Sequence, residues 1–162
     1  MKNTNRVVSS ILLVTLCIGV AGRLAAQAQD APDFTGTWKL NMDKSKFRKG
    51  TTVEPETLVI KFTGLTIEML SITASQKHLQ TYTADARPKR IPAGPTGEML
   101  TTAQWKDRAL IISVHLSADL PGLGKQDLES SKDRWRMSDD GKTLMDEHLG
   151  TKHFDVYDKT SP

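Results

Sequence analysis

The chain is 162 residues long, with 22 Lys and Arg against 19 Asp and Glu, 38% hydrophobic residues and a single Cys. That is the size and composition of one globular domain, and it excludes a disordered or collagen-like chain. The surplus charge of +3 comes entirely from Lys2, Arg6 and Arg23, so the body from residue 29 onward is neutral and gives no footing for nucleic acid.

Residues 1–28 read as a secretory signal peptide. Lys2 and Arg6 make a positive start, Val7 to Gly22 is mostly apolar, and Ala26-Gln27-Ala28 supplies the small-x-small pattern that a signal peptidase admits. The 16-residue run is closed by Arg23 and is shorter than the roughly 20 residues needed to span a bilayer. Leu16 occupies the place before Cys17 where lipid attachment wants a small residue. The expectation is therefore an exported protein, periplasmic or extracellular, starting near Gln29 and keeping no stable membrane anchor. Cys17 leaves with the leader, which removes disulfides, thiolate nucleophiles and cysteine metal sites from the mature domain, residues 29–162.

From Phe34 onward the period is two. Phe34, Gly36, Trp38, Leu40 and Met42 alternate with polar residues, as expected of a strand with one buried face. Leu58 to Thr63 and Leu65 to Met69 repeat the pattern on either side of Gly64 and read as a hairpin. Lys77 to Asp85 is a more polar strand. Ala86 to Gly97, with Pro88, Pro92 and Pro95, reads as an extended exposed loop. Met99 to Trp105 turns through Lys106-Asp107-Arg108 into Leu110 to Leu116. Ser117 to Gly124 reads as a second long loop, placed to act as a lid or to tuck Leu120 and Leu123 onto the rim. Gln126 to Met137 follows, then the turn Ser138-Asp139-Asp140-Gly141, whose Asp-Gly step suits the positive φ of a tight hairpin. Thr143 to Leu149 and Lys152 to Asp158 close the chain.

About nine short strands with short links and no helical stripe predict an all-β, antiparallel up-and-down meander. Curling such a sheet into a barrel of about 8–10 strands hides its edges and leaves an interior that fits side chains or one small ligand.

Gly36-Thr37-Trp38, opening the first strand, resembles the Gly-x-Trp signature of lipocalins and the wider calycin barrels. Asp33 to Asn41, Lys44-Ser-Lys-Phe47 and Trp135 to Leu144 are similar to lipocalin-like domains of exported bacterial proteins. The remaining lipocalin motifs are absent. The resemblance implies a barrel whose narrow end is plugged by Trp38. It also implies a basic residue from a late strand packed over that indole, for which Arg134, Arg136 and Lys152 are the candidates.

Few residues suggest reactive chemistry. The four histidines (His78, His115, His148 and His153) make no pair at metal-ligand spacing, and no nucleophile elbow or phosphate loop occurs. His148 and His153 flank the last turn, with Asp146 and Asp155 further along the same strand pair, the one arrangement suited to proton transfer or a metal. Neither a cofactor nor a metal is expected, and no enzymatic activity. The leading expectation is a binder of a small apolar or amphipathic molecule, with Trp38, Phe62, Met69, Trp105, Ile112, Val114 and Trp135 as wall or pocket residues. The alternative is a module with a protein partner, such as a barrel-type inhibitor of an extracellular protease working through an exposed loop or Gln29 to Asp33.

Overall fold

The computed structural model describes residues 31–161; the expected leader lies outside them. Ten strands follow one another: β1 (Gly36–Leu40), β2 (Thr57–Thr63), β3 (Thr66–Ile72), β4 (Lys77–Thr83), β5 (Lys89–Ala93), β6 (Gly97–Lys106), β7 (Ala109–Leu120), β8 (Gly124–Met137), β9 (Thr143–His148) and β10 (Phe154–Ser161). No helix occurs among the described residues. All ten belong to one antiparallel sheet in the order β4-β3-β2-β1-β10-β9-β8-β7-β6-β5. Each strand pairs with its chain neighbours, except that β4 and β5 do not pair, and β1 pairs with β10 as well as with β2.

The tight turns follow from backbone chemistry. Thr63 pairs with Thr66 across Gly64-Leu65, and Gly64 takes the positive φ of 62° that the first turn position requires. Lys106 pairs with Ala109 across Asp107 and Arg108, both in the left-handed region at φ 50° and 59°. Both turns fall where the sequence places them.

Two expected loops are partly strand. Lys89–Ala93, inside the Pro-rich stretch 86–97, is an edge strand paired with β6, so the count is ten rather than nine. An edge tolerates Pro92, because one side of the strand needs no donor. Ser117 to Gly124 is neither lid nor tucked loop. β7 and β8 run on as a long hairpin to a turn at residues 121–123, with Leu123 at its tip 69% exposed. A bulge between Leu116 and Ser117, which leaves Leu128 unpaired, shifts the phase of this hairpin, and alternation alone does not report it.

Nor does the ladder of hydrogen bonds close on itself. Pro88 and Pro92 cannot donate, and β4 presents a polar, exposed edge with only Tyr82 buried. The two edges are nevertheless brought together beyond β4. The Ala86 amide donates to the Ala103 carbonyl at 3.0 Å, and Lys89 Nζ donates to Thr83 Oγ1.

The curl creates one core. Leu58, Ile60, Ile67 and Met69 from one half join Ala103, Leu110, Ile112 and Trp135 from the other in a single buried cluster. Its centre is Trp38, fully buried, whose indole N–H donates to the Phe34 carbonyl at 2.8 Å. Beside it, Phe34 packs edge-on against both Phe62 and Trp105. The cation over Trp38 is Lys159, its Nζ 5.1 Å from the ring centre, rather than Arg134, Arg136 or Lys152. Lys159 is the cross-strand partner of Trp38 at the β1–β10 bulge, whereas Arg134 and Arg136 both bind Glu147. Replacing Trp38 by Ala is expected to cost about 3–5 kcal/mol, read as a lowered midpoint of urea unfolding.

Candidate functional site

Strand register assembles a charged row on the concave face. In β8 and β9, Asp133 stands opposite His148 and Trp135 opposite Asp146. In β9 and β10, Asp146 stands opposite Asp155 and Leu144 opposite Tyr157. Asp146 and His148 are two apart on β9 and so share a face, while Glu147 between them points away to its arginines.

His148 is held on both ring nitrogens, Nδ1 at 2.9 Å from Asp133 Oδ1 and Nε2 at 3.3 Å from Asp155 Oδ2. Next to it, Asp146 is only 6% exposed, and its Oδ1 is buried without a hydrogen-bond partner. On the far side of β10, Glu56 accepts from the Tyr157 hydroxyl at 2.7 Å and from the Ser71 hydroxyl.

The electrostatics follow from that crowding. Burial first, then repulsion from Asp133, push the Asp146 carboxyl well above its ordinary 3.8, with His148 pulling the other way. The hydrogen bonds to Asp133 and Asp155 raise His148 to about 10 against the cost of its partial burial. Burial and the same two acids, Asp133 and Asp146, push the Tyr82 hydroxyl up to about 12. Burial, then Glu56, drive Tyr157 upward as well.

A cavity of about 290 Å³ opens above this row. Its apolar lining is Met69, Met99, Ile112, Val114, Leu116 and Trp135, and its polar lining is Gln80, Tyr82, Glu129, Ser131, Asp133 and Asp146; the two are interleaved, with Ile112 opposite Asp133 and Val114 opposite Ser131. A wider hollow of about 670 Å³ lies at the mouth, bordered by His148, His153, Asp155 and Glu56 and by the β1–β2 connection. That connection is tied to β10 by an Asn41 amide that donates to Asp158 and by Ser45, whose hydroxyl accepts from the Val156 amide. Phe47 and Val53 from it pack against the core.

Of the seven residues expected to form the pocket, Met69, Ile112, Val114 and Trp135 line the smaller cavity. Trp38, Phe62 and Trp105 instead fill the packed end. His148 and His153 do meet across the turn through their backbones, but the His148 side chain turns to two aspartates. Sequence reasoning missed Asp133 because it lies 15 residues from His148 on another strand, and only the β8–β9 register joins them.

His115 also sits between a serine and an aspartate, Ser130 Oγ at 2.8 Å and Asp127 Oδ1 at 3.0 Å. This trio is on the opposite face of β7 and β8 from Val114 and Leu116 and borders neither cavity.

No family model matches the chain, and no curated protein matches it. Among solved structures it is similar to a REP1-NXSQ fatty acid transporter at 16% identity, covering 79% of this chain and 96% of that one with a TM-score of 0.55. Apo lipid binding protein 8 of Caenorhabditis elegans matches at 15% identity, 78% and 95% coverage and a TM-score of 0.54. Human cRBP IV matches at 11% identity, 80% and 99% coverage and a TM-score of 0.56. The fold is of the calycin type. At such identities the likeness is of fold alone, and in this calycin sheet the row across the interior is read from its own residues.

Because the Asp146 carboxyl is raised, the unfolded chain gives up this proton first as pH climbs past 3.8. Below that value the group costs no stability; above it, holding the proton in the fold costs progressively more. In chelator-treated protein, Asp146→Asn is expected to be more stable than the parent at pH 7. The gain should vanish below about pH 4 in urea melts across pH.

Proposed function

We propose that the protein is an exported binder of one small apolar or amphipathic molecule, held inside a calycin-type barrel. The observation that carries this reading is the 290 Å³ cavity, lined by six large apolar side chains with polar groups set between them. Ligand sites are mostly apolar with a few placed polar groups, and this volume sits near the lower end of their usual 300–1,000 Å³. Affinity comes from the apolar side chains of the lining and orientation from the row beside Asp133 and Asp146. The fold neighbours titled as a fatty acid transporter and a lipid binding protein support the same reading.

In the proposed barrel the remaining gap lies between β4 and β5, where Ala86 and Lys89 already bridge the edges. A guest reaches the interior through this gap or past the β1–β2 connection at the mouth. Catalysis is not part of the proposal.

Nile red, a neutral apolar fluorophore, tests the cavity. One saturable site per chain is expected, with competition by lipid extracted from the native host. Val114→Trp, which projects an indole into the cavity, should weaken binding at least tenfold while the far-ultraviolet spectrum stays unchanged. No saturable binding, or equal binding by the variant, overturns the reading.

Export rests on the pattern of residues 1–28. N-terminal sequencing of protein recovered outside the cytoplasm should begin at or near Gln29, and a retained Met1 would exclude cleavage.

A further inference from the structure

The acids of the concave face, of which Asp146 is buried and the others partly so, outnumber the cations set against them. Of the charged groups acting on Asp146, three are acids (Asp133, Asp155 and Glu56) and one, His148, is a base. No Lys or Arg lines the smaller cavity. Burying unpaired carboxylate oxygen is costly, and native proteins rarely leave such an atom without a partner.

We propose that Asp133, Asp146 and His148 form a binding site for one divalent transition-metal ion of the Zn²⁺ or Co²⁺ kind. Two observations carry it independently. The first is geometric: one donor atom from each of the three residues lies within 4.8 Å of the others, and the closest pair, His148 Nδ1 and Asp133 Oδ1, is 2.9 Å apart. With metal–ligand bonds of about 2.0–2.2 Å, two donors on one ion stand about 3–4 Å apart, so small side-chain rotations bring all three into range. The second is the Asp146 carboxylate itself, more than nine-tenths buried with Oδ1 lacking any partner.

The surroundings agree with a ligating imidazole. Asp155 Oδ2 is placed to accept from Nε2–H, the outer carboxylate that fixes the tautomer of metal-binding histidines and leaves Nδ1 free for the ion. Two carboxylate oxygens and one imidazole nitrogen are a donor set for Zn²⁺, Co²⁺, Mn²⁺ or Fe²⁺, not for soft Cu⁺. Three protein ligands leave coordination positions open beside the cavity that Asp133 and Asp146 also line. A metal takes its imidazole and carboxylate ligands in their deprotonated forms, so loading is pH-dependent and releases protons. The site stands whether or not the cavity holds a guest.

The test is titration of tag-free, chelator-stripped mature protein with ZnCl₂ and CoCl₂, by calorimetry in two buffers of different ionisation enthalpy and by visible absorption of Co²⁺. One ion per chain with buffer-dependent heat is expected. Asp146→Asn and His148→Gln should each weaken binding by about 100-fold and remove the Co²⁺ bands, and Asp155→Asn should weaken it by about 10-fold. Thermal unfolding of each variant confirms that the fold is kept. Absence of binding at millimolar metal overturns the site. Binding that survives in Asp146→Asn also overturns it, because the ion then sits elsewhere, as on the exposed His115 and Asp127.

Discussion

The two ends of the described chain meet at Trp38. β1 lies between β2 and β10, so the first strand is the hinge on which both halves of the meander hang. Trp38 projects from it into the middle of the core, tied by its N–H to Phe34 and covered by Lys159 from the last strand. A plug of this size shuts one end of the curled sheet with hydrocarbon and lets the other end stay polar. Phe34, Phe62 and Trp105 widen the plug with edge-on aromatic contacts, which favour ring pairs beyond simple burial. The cavity lies beyond this plug, with Trp135 and Tyr82 among the residues that line it.

Beyond the plug the inward positions change chemistry. On β8 the inward series runs from Trp135 to Asp133, Ser131 and Glu129; on β9 it runs from Leu144 to Asp146 and His148; on β10, from Tyr157 to Asp155. Three adjacent strands thus switch from apolar to acidic, β9 and β10 at the level of Trp135 and β8 one inward position further on. A core built only for stability would continue with aliphatic residues there, since buried ionic groups contribute little net stability for their desolvation. The imidazolium of His148 answers two of the carboxylates directly and leaves Asp146 with an unmet oxygen. That local conflict, inside an otherwise consistent sequence, marks the part of the molecule shaped by something other than folding.

Much of the fold was legible because alternation is a local property. Trp38, Leu58, Ile60, Ile67, Met69, Ile112 and Trp135 could be placed on one buried face from period two, and the two-residue turns at Gly64 and at Asp107-Arg108 from their chemistry. Lys89–Ala93 was not legible as a strand. Its three neighbouring prolines signal a loop, and only the free side of a sheet edge makes Pro92 acceptable. The Ser117–Gly124 stretch misled for a related reason: flexible residues at a hairpin tip look the same as those of a lid. The cation over Trp38 was sought on the wrong strands, because the β1–β10 bulge that brings Lys159 opposite the indole has no signature along the chain.

The sequence by itself determined most strand faces, the tight turns and the meander order, since each depends on residues within a few positions of one another, while the plugging role of Trp38 came from the resemblance carried by Gly36-Thr37-Trp38. Which charges meet inside was decided by tertiary structure alone. Asp133 and His148 are paired only by the register of β8 with β9, Asp146 and Asp155 only by that of β9 with β10, and β1 is set beside β10 across more than a hundred residues. Register is a cooperative property of the whole sheet: a slip of one residue would send every one of these acids to solvent.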